Sequence, residues 1–341
     1  MRLQLKPLKQ QVIVITGASS GIGLTTARLA AARGARVVLA ARDEASLVRI
    51  TDLLRAQGAE AVFAVADVAD EAAVARIADT AVRAFGGFDS WVNNAGVSVY
   101  GRLDVVPIAD QRRVFETNYW GVVHGSLAAL RHLRHCGGAV INVGSVLSER
   151  AFPLQGAYSA SKHALKGFTD ALRMELIHDG VPVSVTLIKP TAIDTPYARH
   201  AENYLDRQST NPPPNYAPDI VARAVLYAAS HPVRELNVGG SGRLLETFDH
   251  WLPALTDTVM GAVVPGLEHG AKLSDPRPPS GLHAPAGGVH ERSGTHRFVR
   301  EHSVYTAAAM HPLACLAVAG VSGAALVFMS YIVRNPRLRR P

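Results

Sequence analysis

The first 190 residues alternate short apolar runs with longer stretches in which apolar residues recur at helical spacing. The short runs are rich in β-branched residues and apolar almost throughout, which is typical of parallel strands covered on both faces. We therefore predict strands at residues 12–15, 36–39, 61–65, 90–92, 139–143 and 183–188. The intervening stretches predict helices, the first three at residues 22–33, 44–57 and 71–85.

Turn and cap residues mark the ends of these helices. Gly34, Gly58 and the pair Gly86-Gly87 follow the three helices, where a glycine can adopt the left-handed conformation that ends a helix. Asp43 and Asp70 precede the second and third helices as predicted N-caps. The repeated strand-helix-strand order predicts an α/β fold with a doubly wound parallel sheet.

A further helix at residues 218–230, a last strand at 236–238 and an amphipathic stretch at 244–260 complete a predicted domain of residues 1–260. Composition then changes. Residues 265–297 contain five prolines and no apolar period, so we predict a flexible linker over residues 261–312.

An apolar segment follows the predicted linker. Residues 313–333 carry no charge, and as a helix they would be about 30 Å long, the thickness of a bilayer core. They predict a transmembrane helix, followed by a basic tail at residues 334–341. The segment is rich in alanine and glycine, so a buried helix or a contact between subunits stays open as an alternative.

Charge and cysteine content narrow the function classes. The net charge is +7, but residues 290–341 alone carry seven arginines and two glutamates, which leaves +2 for the rest. This distribution favours a charged membrane flank over a nucleic-acid surface. Cys136 and Cys315 show no metal-ligand spacing, so we expect no metal site and a reducing compartment. We expect a membrane-associated protein whose catalytic domain is cytoplasmic.

A glycine-rich turn directly follows the first predicted strand and leads into an alanine-rich helix. Three glycines in that setting allow a tight turn and let a pyrophosphate approach the backbone at the helix N-terminus. The turn therefore predicts a dinucleotide site, and its candidate binding residues are Thr16, Gly17, Ser19, Ser20, Gly21, Ile22 and Gly23.

The end of the second strand predicts which dinucleotide is preferred. A carboxylate there would accept hydrogen bonds from a free ribose 2′-hydroxyl, but this chain has Arg42, which can hold a 2′-phosphate. We therefore predict NADP(H) as the preferred cofactor, with NAD(H) possible. An ordinary solvated loop arginine stays open as the alternative.

A tyrosine and a lysine four residues apart stand at the start of a predicted helix. Tyr158 and Lys162 share one helix face, so the lysine cation can lie near the phenol and lower the pKa of Tyr158 toward the range of an acid/base catalyst. Ser145, after the fifth strand, is a candidate to hold a carbonyl or hydroxyl oxygen. Asn118, on an earlier helix, is a candidate to orient a water or a backbone group.

With these motifs in this order, residues 10 to 250 resemble the single-domain, NAD(P)-dependent branch of the short-chain dehydrogenase/reductase family, whose fold is Rossmann-like. The resemblance implies that Tyr158 is the catalytic acid/base and Ser145 polarises the substrate. It also implies that Lys162 binds the nicotinamide ribose and shifts the tyrosine pKa, while Asn118 supports the proton relay. Further cofactor contacts implied by the resemblance are Asp67, Val68, Asn94, Ala95, Gly96, Pro190, Ile193 and Thr195.

The function expected from this resemblance is an NADPH-preferring oxidoreductase that interconverts a ketone or aldehyde and an alcohol. Its partners would be a small carbonyl or alcohol substrate, apolar or lipid-like if the protein lies at a membrane, and further copies of the chain in a homo-oligomer. Two alternatives stay open: a cofactor-binding sensor or scaffold with little turnover, and another reaction on the same fold, such as epimerisation or dehydration.

Overall fold

The computed structural model describes residues 3–273, 280–296 and 298–311. Seven parallel strands form its central sheet, in the order β7-β6-β5-β4-β1-β2-β3. The strands are β1 Val12–Thr16, β2 Arg36–Ala41, β3 Ala61–Val65, β4 Ser90–Asn93, β5 Gly138–Val143, β6 Val183–Pro190 and β7 Glu235–Val238. The order reverses between β1 and β4, and in open α/β sheets ligands bind at such a point beyond the carboxyl ends of the strands.

Helices cover both faces of the sheet. They are α1 Gly21–Ala32, α2 Glu44–Ala56, α3 Glu71–Phe85, α4 Ile108–Phe115, α5 Gly121–Cys136, α6 Gly156–His178, α7 Tyr197–His200, α8 Pro218–Ser230, α9 Gly240–Trp251, α10 Pro253–Glu268 and α11 Val304–Met310. Short strands of two to five residues pair outside the sheet: Val99–Tyr100 with Glu202–Asn203, Arg207–Ser209 with His269–Leu273, and Asn215–Tyr216 with Val299–Arg300.

Side chains of β1 show how the core divides into two layers. Ile13 and Ile15 point to the layer that holds α1, α2 and α8, whereas Val12 and Val14 point to the layer that holds α3, α5 and α6. All four are buried. Because successive strand residues face opposite sides, a strand between two helix layers has to be apolar at every position, which confirms the doubly wound sheet predicted from the sequence.

The predicted caps are confirmed as well. The Asp43 side chain accepts a hydrogen bond from the Ser46 backbone N–H, and the Asp70 side chain accepts one from the Ala72 N–H. Gly86 ends α3 in the left-handed conformation, with φ at 77°. These caps fix where α2 and α3 begin and so fix the loops that follow β2 and β3.

The C-terminal part departs from the sequence prediction. The stretch predicted at 244–260 is two helices, because Pro253 lacks an amide hydrogen and starts α10 afresh, and α10 runs beyond residue 260 to Glu268. The described part of the predicted linker at 261–312 lies against the domain: Leu282 is fully buried, and residues 304–310 form α11 near β7. Polar and backbone contacts hold this part, so it needs no apolar period.

The predicted transmembrane helix at residues 313–333 and the basic tail at 334–341 lie outside the described residues. Among residues 3–273, 280–296 and 298–311, no helix has both the length and the apolar character to cross a bilayer.

Candidate active site

The glycine turn after β1 is shaped so that side chains would not fit. Gly17 and Gly21 have φ of 65° and 51°, in the left-handed region that favours glycine. A Cβ on Gly17 would lie 2.7 Å from the Ala95 Cα, and one on Gly23 would lie 2.1 Å from the Gly17 carbonyl oxygen. The turn therefore brings bare backbone to the N-terminus of α1, the positive end of the helix, which attracts an anion.

Thr16 and Asn94 tie this turn to the end of β4. The Thr16 hydroxyl accepts hydrogen bonds from the N–H groups of Asn94 (3.0 Å) and Ala95 (3.2 Å), and donates to the Val92 carbonyl (3.2 Å). The Asn94 side chain donates to the carbonyl oxygens of Thr16 (2.9 Å) and Gly17 (3.2 Å). The glycine turn after β1 and the segment after β4 thus form one hydrogen-bonded unit, which holds the backbone where the strand order of the sheet reverses.

A cleft of about 200 Å³ extends from this unit across the carboxyl ends of the strands. Most predicted cofactor residues line it: Gly17, Ser19, Ser20, Gly21, Ile22, Arg42, Asp67, Val68, Asn94, Ala95, Gly96 and Thr195. Thr16 and Gly23 lie behind the lining, where Thr16 supports Asn94 and Gly23 lets α1 approach the turn closely.

Charged groups gather at the end of the cleft near β2 and β3. Burial alone would raise the pKa of Asp67, but hydrogen bonds from the Ala69 N–H and from Arg113 bring it below its usual value. Arg42 donates to the carbonyl oxygens of Leu282 (3.3 Å), Gly281 and Ala284 (3.3 Å). Sequence reasoning missed Arg113 and the segment around Leu282, because both lie far along the chain from the motifs they meet.

The tyrosine and lysine on α6 are both buried. Tyr158 is 9% exposed and Lys162 is 4% exposed, and the Lys162 ammonium lies 5.5 Å from the centroid of the tyrosine ring. The Lys162 Nζ donates a hydrogen bond to the Val143 carbonyl oxygen at 2.9 Å, at the end of β5. Burial lowers the pKa of Lys162 to about 8. The shared helix face predicted from the four-residue spacing is confirmed.

The predicted lowering of the Tyr158 pKa is not found. Burial raises the pKa of this phenol, and hydrogen bonds with Tyr197 and Ser145 offset only part of that effect. The lysine ammonium is directed to the Val143 carbonyl oxygen rather than to the phenol oxygen, so desolvation outweighs its attraction. Tyr158 is therefore held as a neutral phenol.

Ser145 opens a short 3₁₀ turn, Val146–Ser148, directly after β5. Its side-chain oxygen accepts from the Leu147 N–H at 3.1 Å, while its own N–H donates to the Ser148 hydroxyl at 3.2 Å. This reciprocal cap fixes the direction of the Ser145 side chain next to Tyr158. The hydroxyl hydrogen remains able to donate toward a ligand.

Asn118 lies in a π-helical turn, Glu116–Trp120, between α4 and α5. Its side chain is fully buried, accepts from the Val97 N–H (2.9 Å), and donates to the Val97 carbonyl (2.9 Å) and the Ser161 hydroxyl (3.1 Å). These bonds join the loop after β4 to α6. The side chain of Asn118 thus has a structural task, and its part in a proton relay stays a prediction.

A second cavity of about 360 Å³ contains the residues predicted to be catalytic. Ser145, Tyr158 and Lys162 line it, together with the predicted residues Pro190 and Ile193. The remaining wall is mostly apolar and includes Val146, Leu147, Phe152, Leu245, Met260, Val264 and Leu267. The residues shared with the dinucleotide cleft are Ile22, Asn94, Gly96, Thr195 and Tyr197, so the two spaces adjoin.

Three polar residues beside Tyr158 were missed by sequence reasoning. The Tyr197 ring meets the Tyr158 ring edge-on at 5.5 Å, and its hydroxyl donates to Gln155 at 3.3 Å. Gln155 in turn donates to Glu268 at 2.6 Å. Glu268 is fully buried, and burial raises its pKa to about 7. The three come from the start of α6, from α7 and from the end of α10, so only the fold brings them together.

Two positions where the sequence departs from the family pattern have local explanations. The family commonly has glycine after the proline that ends β6, but here Thr191 takes that place, opposite two glycines. A Cβ on Gly239 would lie 2.3 Å from the Thr191 hydroxyl, and one on Gly242 would lie 2.6 Å from its methyl group. At Gly144, where the family often has a hydroxyl residue, a Cβ would lie 2.9 Å from Leu187. The two glycines thus leave room for the Thr191 side chain, and Leu187 takes the space that a side chain at position 144 would need.

Comparison with known proteins decides the family. The family model described as short chain dehydrogenase matches residues 11–205, more than half of the chain. The chain belongs to the short-chain dehydrogenase/reductase family. It is an NAD(P)-dependent oxidoreductase of that family, as the resemblance implied.

Relatives and solved structures show how far the similarity extends. This short-chain dehydrogenase/reductase is 46% identical to the uncharacterized oxidoreductase YxnA of Bacillus subtilis over 320 residues, which covers 93% of this chain and 90% of the relative. A short-chain dehydrogenase/reductase from Burkholderia phymatum, solved in complex with NAD, is 29% identical, with a TM-score of 0.66. It covers 75% of this chain and 96% of its own.

A third comparison concerns the other cofactor. An alcohol dehydrogenase from the archaeon Thermococcus sibiricus, complexed with 5-hydroxy-NADP, is 28% identical with a TM-score of 0.59. It covers 67% of this chain and 95% of its own. The solved relatives thus include one protein with NAD and one with an NADP derivative, so the family supports a nucleotide cofactor without deciding between the two.

Proposed function

We propose that the protein is an NADPH-preferring oxidoreductase that interconverts a ketone or aldehyde and an alcohol, with Tyr158 as the acid/base. The observation that carries the proposal is a single apolar cavity in which Tyr158, Lys162 and Ser145 meet next to the dinucleotide cleft. A site that only bound the cofactor would not require a buried phenol and a buried ammonium in the cavity beside it.

The residues of the cleft fit a dinucleotide phosphate. The glycine turn offers backbone N–H groups where a side chain would fill the space, and α1 directs its positive end to the same point. Arg42 and Arg113 supply positive charge at the far end, near Asp67. A guanidinium there favours a cofactor with a 2′-phosphate, and NAD(H) would use the same cleft with fewer contacts.

Side chains of the protein would carry out the proton transfer. When bound, a nicotinamide cofactor supplies or accepts the hydride. Ser145 would donate a hydrogen bond to the substrate oxygen, and Tyr158 would give that oxygen a proton as the carbonyl is reduced. The Lys162 ammonium would stabilise the phenolate that remains. A raised Tyr158 pKa keeps the proton on the phenol at neutral pH, which suits the reductive direction.

The cavity supports an apolar substrate. Most side chains of its wall are apolar, with Phe152, Met260 and Val264 among them, and burial of apolar ligand surface there would contribute about 25 cal/mol per Å². Pro212, Pro213 and Pro214 close one side. We therefore propose a lipid-like or otherwise apolar ketone, aldehyde or alcohol as the substrate class.

A panel of apolar ketones and aldehydes tests the proposal. Full-length protein is incubated with NADPH, and oxidation of NADPH is followed by its absorbance. We expect turnover of apolar members, and we expect Tyr158→Phe to lose about 10³-fold or more in kcat while its Kd for NADPH stays within about twofold. Binding without turnover of any member would favour a sensor or scaffold. Wild-type turnover in Tyr158→Phe would exclude the acid/base role.

Two assignments about the protein's surroundings are also proposals. The segment at residues 313–333 would attach the protein to a membrane with the catalytic domain in the cytoplasm, and alkaline carbonate washing should then leave the full-length protein in the membrane pellet. The family resemblance favours a homo-oligomer. Exposed apolar side chains along α9 and α10, among them Leu244, Trp251 and Val263, support burial of that face against a membrane or another subunit.

A further inference from the structure

Residues 280–296, here called the C-terminal strap, follow the outer side of the dinucleotide cleft. The small residues Pro285, Ala286, Gly287 and Gly288 line the cleft opposite the glycine turn of β1. Gly287 and Gly288 have φ of 73° and 87°, so the strap makes a turn there that side chains would strain. The cleft thus has a wall that the first 260 residues do not supply.

One end of the strap is fixed beside Arg42. The carbonyl oxygens of Gly281, Leu282 and Ala284 all accept hydrogen bonds from the Arg42 guanidinium, and the Leu282 carbonyl also accepts one from Arg113 at 3.1 Å. The Leu282 side chain is fully buried in an apolar cluster that includes Val97 and Tyr158. The strap therefore sets the position of the guanidinium that would meet a 2′-phosphate.

The middle of the strap is fixed on α1. The Gly21 N–H, at the N-terminus of α1, donates to the His290 carbonyl oxygen at 2.9 Å. The Glu291 carboxylate makes a bidentate pair with Arg28 at 2.7 and 3.1 Å, and accepts from the Thr25 hydroxyl at 3.0 Å. Bidentate arginine-carboxylate pairs are among the strongest polar contacts available at a surface.

The far end is fixed on the loop that follows β6. Ser293 donates to the Asp194 carboxylate, and its carbonyl oxygen accepts from Arg199. Beyond the strap, Val299–Arg300 pairs with the short strand Asn215–Tyr216 of the same loop. That loop carries Ile193, Thr195 and Tyr197, which line the cavity. The strap thus bridges the adenosine end of the cleft and the loop over the substrate cavity.

We propose that the C-terminal strap is part of the cofactor site: it closes over the bound dinucleotide and holds Arg42 against its adenosine half. The cleft of about 200 Å³ lies between the strap and the glycine turn, so the strap stands beside the ligand space rather than inside it. The proposal rests on the dinucleotide site and not on the carbonyl chemistry. The alternative is that the His290 carbonyl occupies the position of a cofactor phosphate, so that the cofactor displaces the strap when it binds.

Amide hydrogen exchange of the full-length protein, with and without saturating NADPH, separates the two arrangements. A strap that closes over the cofactor is held more firmly when the cofactor is present, so peptides covering residues 280–296 should exchange about tenfold more slowly. Faster exchange in these peptides would mean displacement, and unchanged exchange would mean that the strap lies outside the site. Either result would overturn the proposal.

A matched pair of variants gives an independent readout. Glu291→Gln weakens the contact of the strap with Arg28, whereas Asp104→Asn weakens an exposed bidentate pair with Arg102 that does not involve the strap. We expect Glu291→Gln to raise the Kd for NADPH about threefold to tenfold, because the closed strap is then less populated, and Asp104→Asn to leave it within about twofold. The rise should be smaller for NADH, which has no 2′-phosphate to meet Arg42.

The outcomes are distinguishable from failure of the proposed function. Binding is measured by NADPH fluorescence without a carbonyl substrate, so absence of turnover does not affect it. If wild-type protein bound neither cofactor, the dinucleotide site itself would be wrong. If wild-type bound NADPH and Glu291→Gln bound it equally or more tightly, the site would stand and the role of the strap would be wrong.

Discussion

At the dinucleotide end of the cleft the Asp67 carboxylate has partners that favour its charged form, whereas around Tyr158 burial works against the charge of Lys162 and Glu268. Asp67 meets the Ala69 N–H and Arg113, and its pKa lies below the usual value. Lys162 is buried against a backbone carbonyl, and its pKa is lowered to about 8. Glu268 is buried against the Gln155 amide, and its pKa is raised to about 7.

This difference separates holding a ligand from reacting with it. Groups that bind phosphate or ribose work best when their charge does not change with pH, so tight pairing suits them. Beside Tyr158, burial shifts the pKa values of Lys162 and Glu268 toward neutral pH and raises that of the phenol, so the charge at this end depends on pH and on what covers these groups. The two environments lie in adjoining spaces at one edge of the sheet, because the glycine turn follows β1 and α6 begins beside the carboxyl end of β5.

Of the substitutions that compare the two ends, removal of the buried Lys162 cation should have the largest effect on activity. We expect Lys162→Met to lower kcat/KM for carbonyl reduction about 10²-fold, because the phenolate of Tyr158 loses its nearest positive charge. Lys166→Met, one turn further along α6 where the ammonium pairs with Asp170 at 3.3 Å, is the matched control and should change kcat/KM less than about twofold. Equal losses in both variants would show that general damage to α6, and not the buried charge, is responsible.

The same lysine predicts a pH dependence. Below its pKa of about 8 Lys162 is charged, so the wild-type rate of reduction should fall as pH rises through that value. Lys162→Met has no charge to lose and should show a flatter profile between about pH 6 and pH 9. The measurement is kcat/KM across that range with NADPH saturating. A wild-type rate that rises through pH 8 would contradict this reading.

At the dinucleotide end, the charge test is smaller and is selective between cofactors. We expect Arg42→Ala to raise the Michaelis constant for NADPH about tenfold and that for NADH about twofold or less, because only NADPH offers a 2′-phosphate to the guanidinium. Arg36→Ala is the matched control, since Arg36 starts the same strand but stacks on Phe85 away from the cleft. An equal change for both cofactors would mean that Arg42 acts through the strap it contacts and not through the phosphate.

The two ends also differ in how far the sequence predicts them. The glycine turn, the caps at Asp43 and Asp70, and the pairing of Tyr158 with Lys162 depend on short spacing, so the residues themselves indicate the geometry. The strap does not: Arg42 and Gly21 contact its backbone carbonyls, which any residue can offer. Because backbone carbonyl oxygens make these contacts, the stretch has no apolar period, and its sequence therefore predicts a flexible linker.

Burial is the other quantity that spacing leaves undetermined. The four-residue interval places Lys162 near Tyr158, but the sign of the tyrosine shift depends on how much of the helix is covered and on what else the lysine meets. The Val143 carbonyl lies 19 positions away in the sequence and takes the Lys162 hydrogen bond. Glu268 meets Gln155 across 113 positions. Such contacts follow from the fold and are found only once it is known.

Glu268 gives the last test, on stability rather than turnover. Its pKa is raised in the folded protein to about 7 from 4.5, so the folded state binds the proton more tightly. The associated stability is fully present below about pH 4.5 and is lost as pH rises through 7, since a buried carboxylate must then be charged. Glu268→Gln keeps an oxygen that accepts from Gln155 and removes the charge. We expect it to raise the free energy of unfolding at pH 8 by about 1–3 kcal/mol.

At pH 5 the same substitution should raise the free energy of unfolding by no more than about 1 kcal/mol, because Glu268 in the folded protein is then mostly protonated and resembles the amide, while the unfolded carboxyl is already partly ionised. Glu175→Gln, on the exposed face of α6, is the control and should show no such dependence on pH. Denaturant unfolding at the two pH values measures both variants. A stabilisation that was equal at pH 5 and pH 8 would mean that packing, not charge, separates the variant from the wild type. Burial would then disfavour the charged form of Glu268 less than the comparison with Asp67 implies.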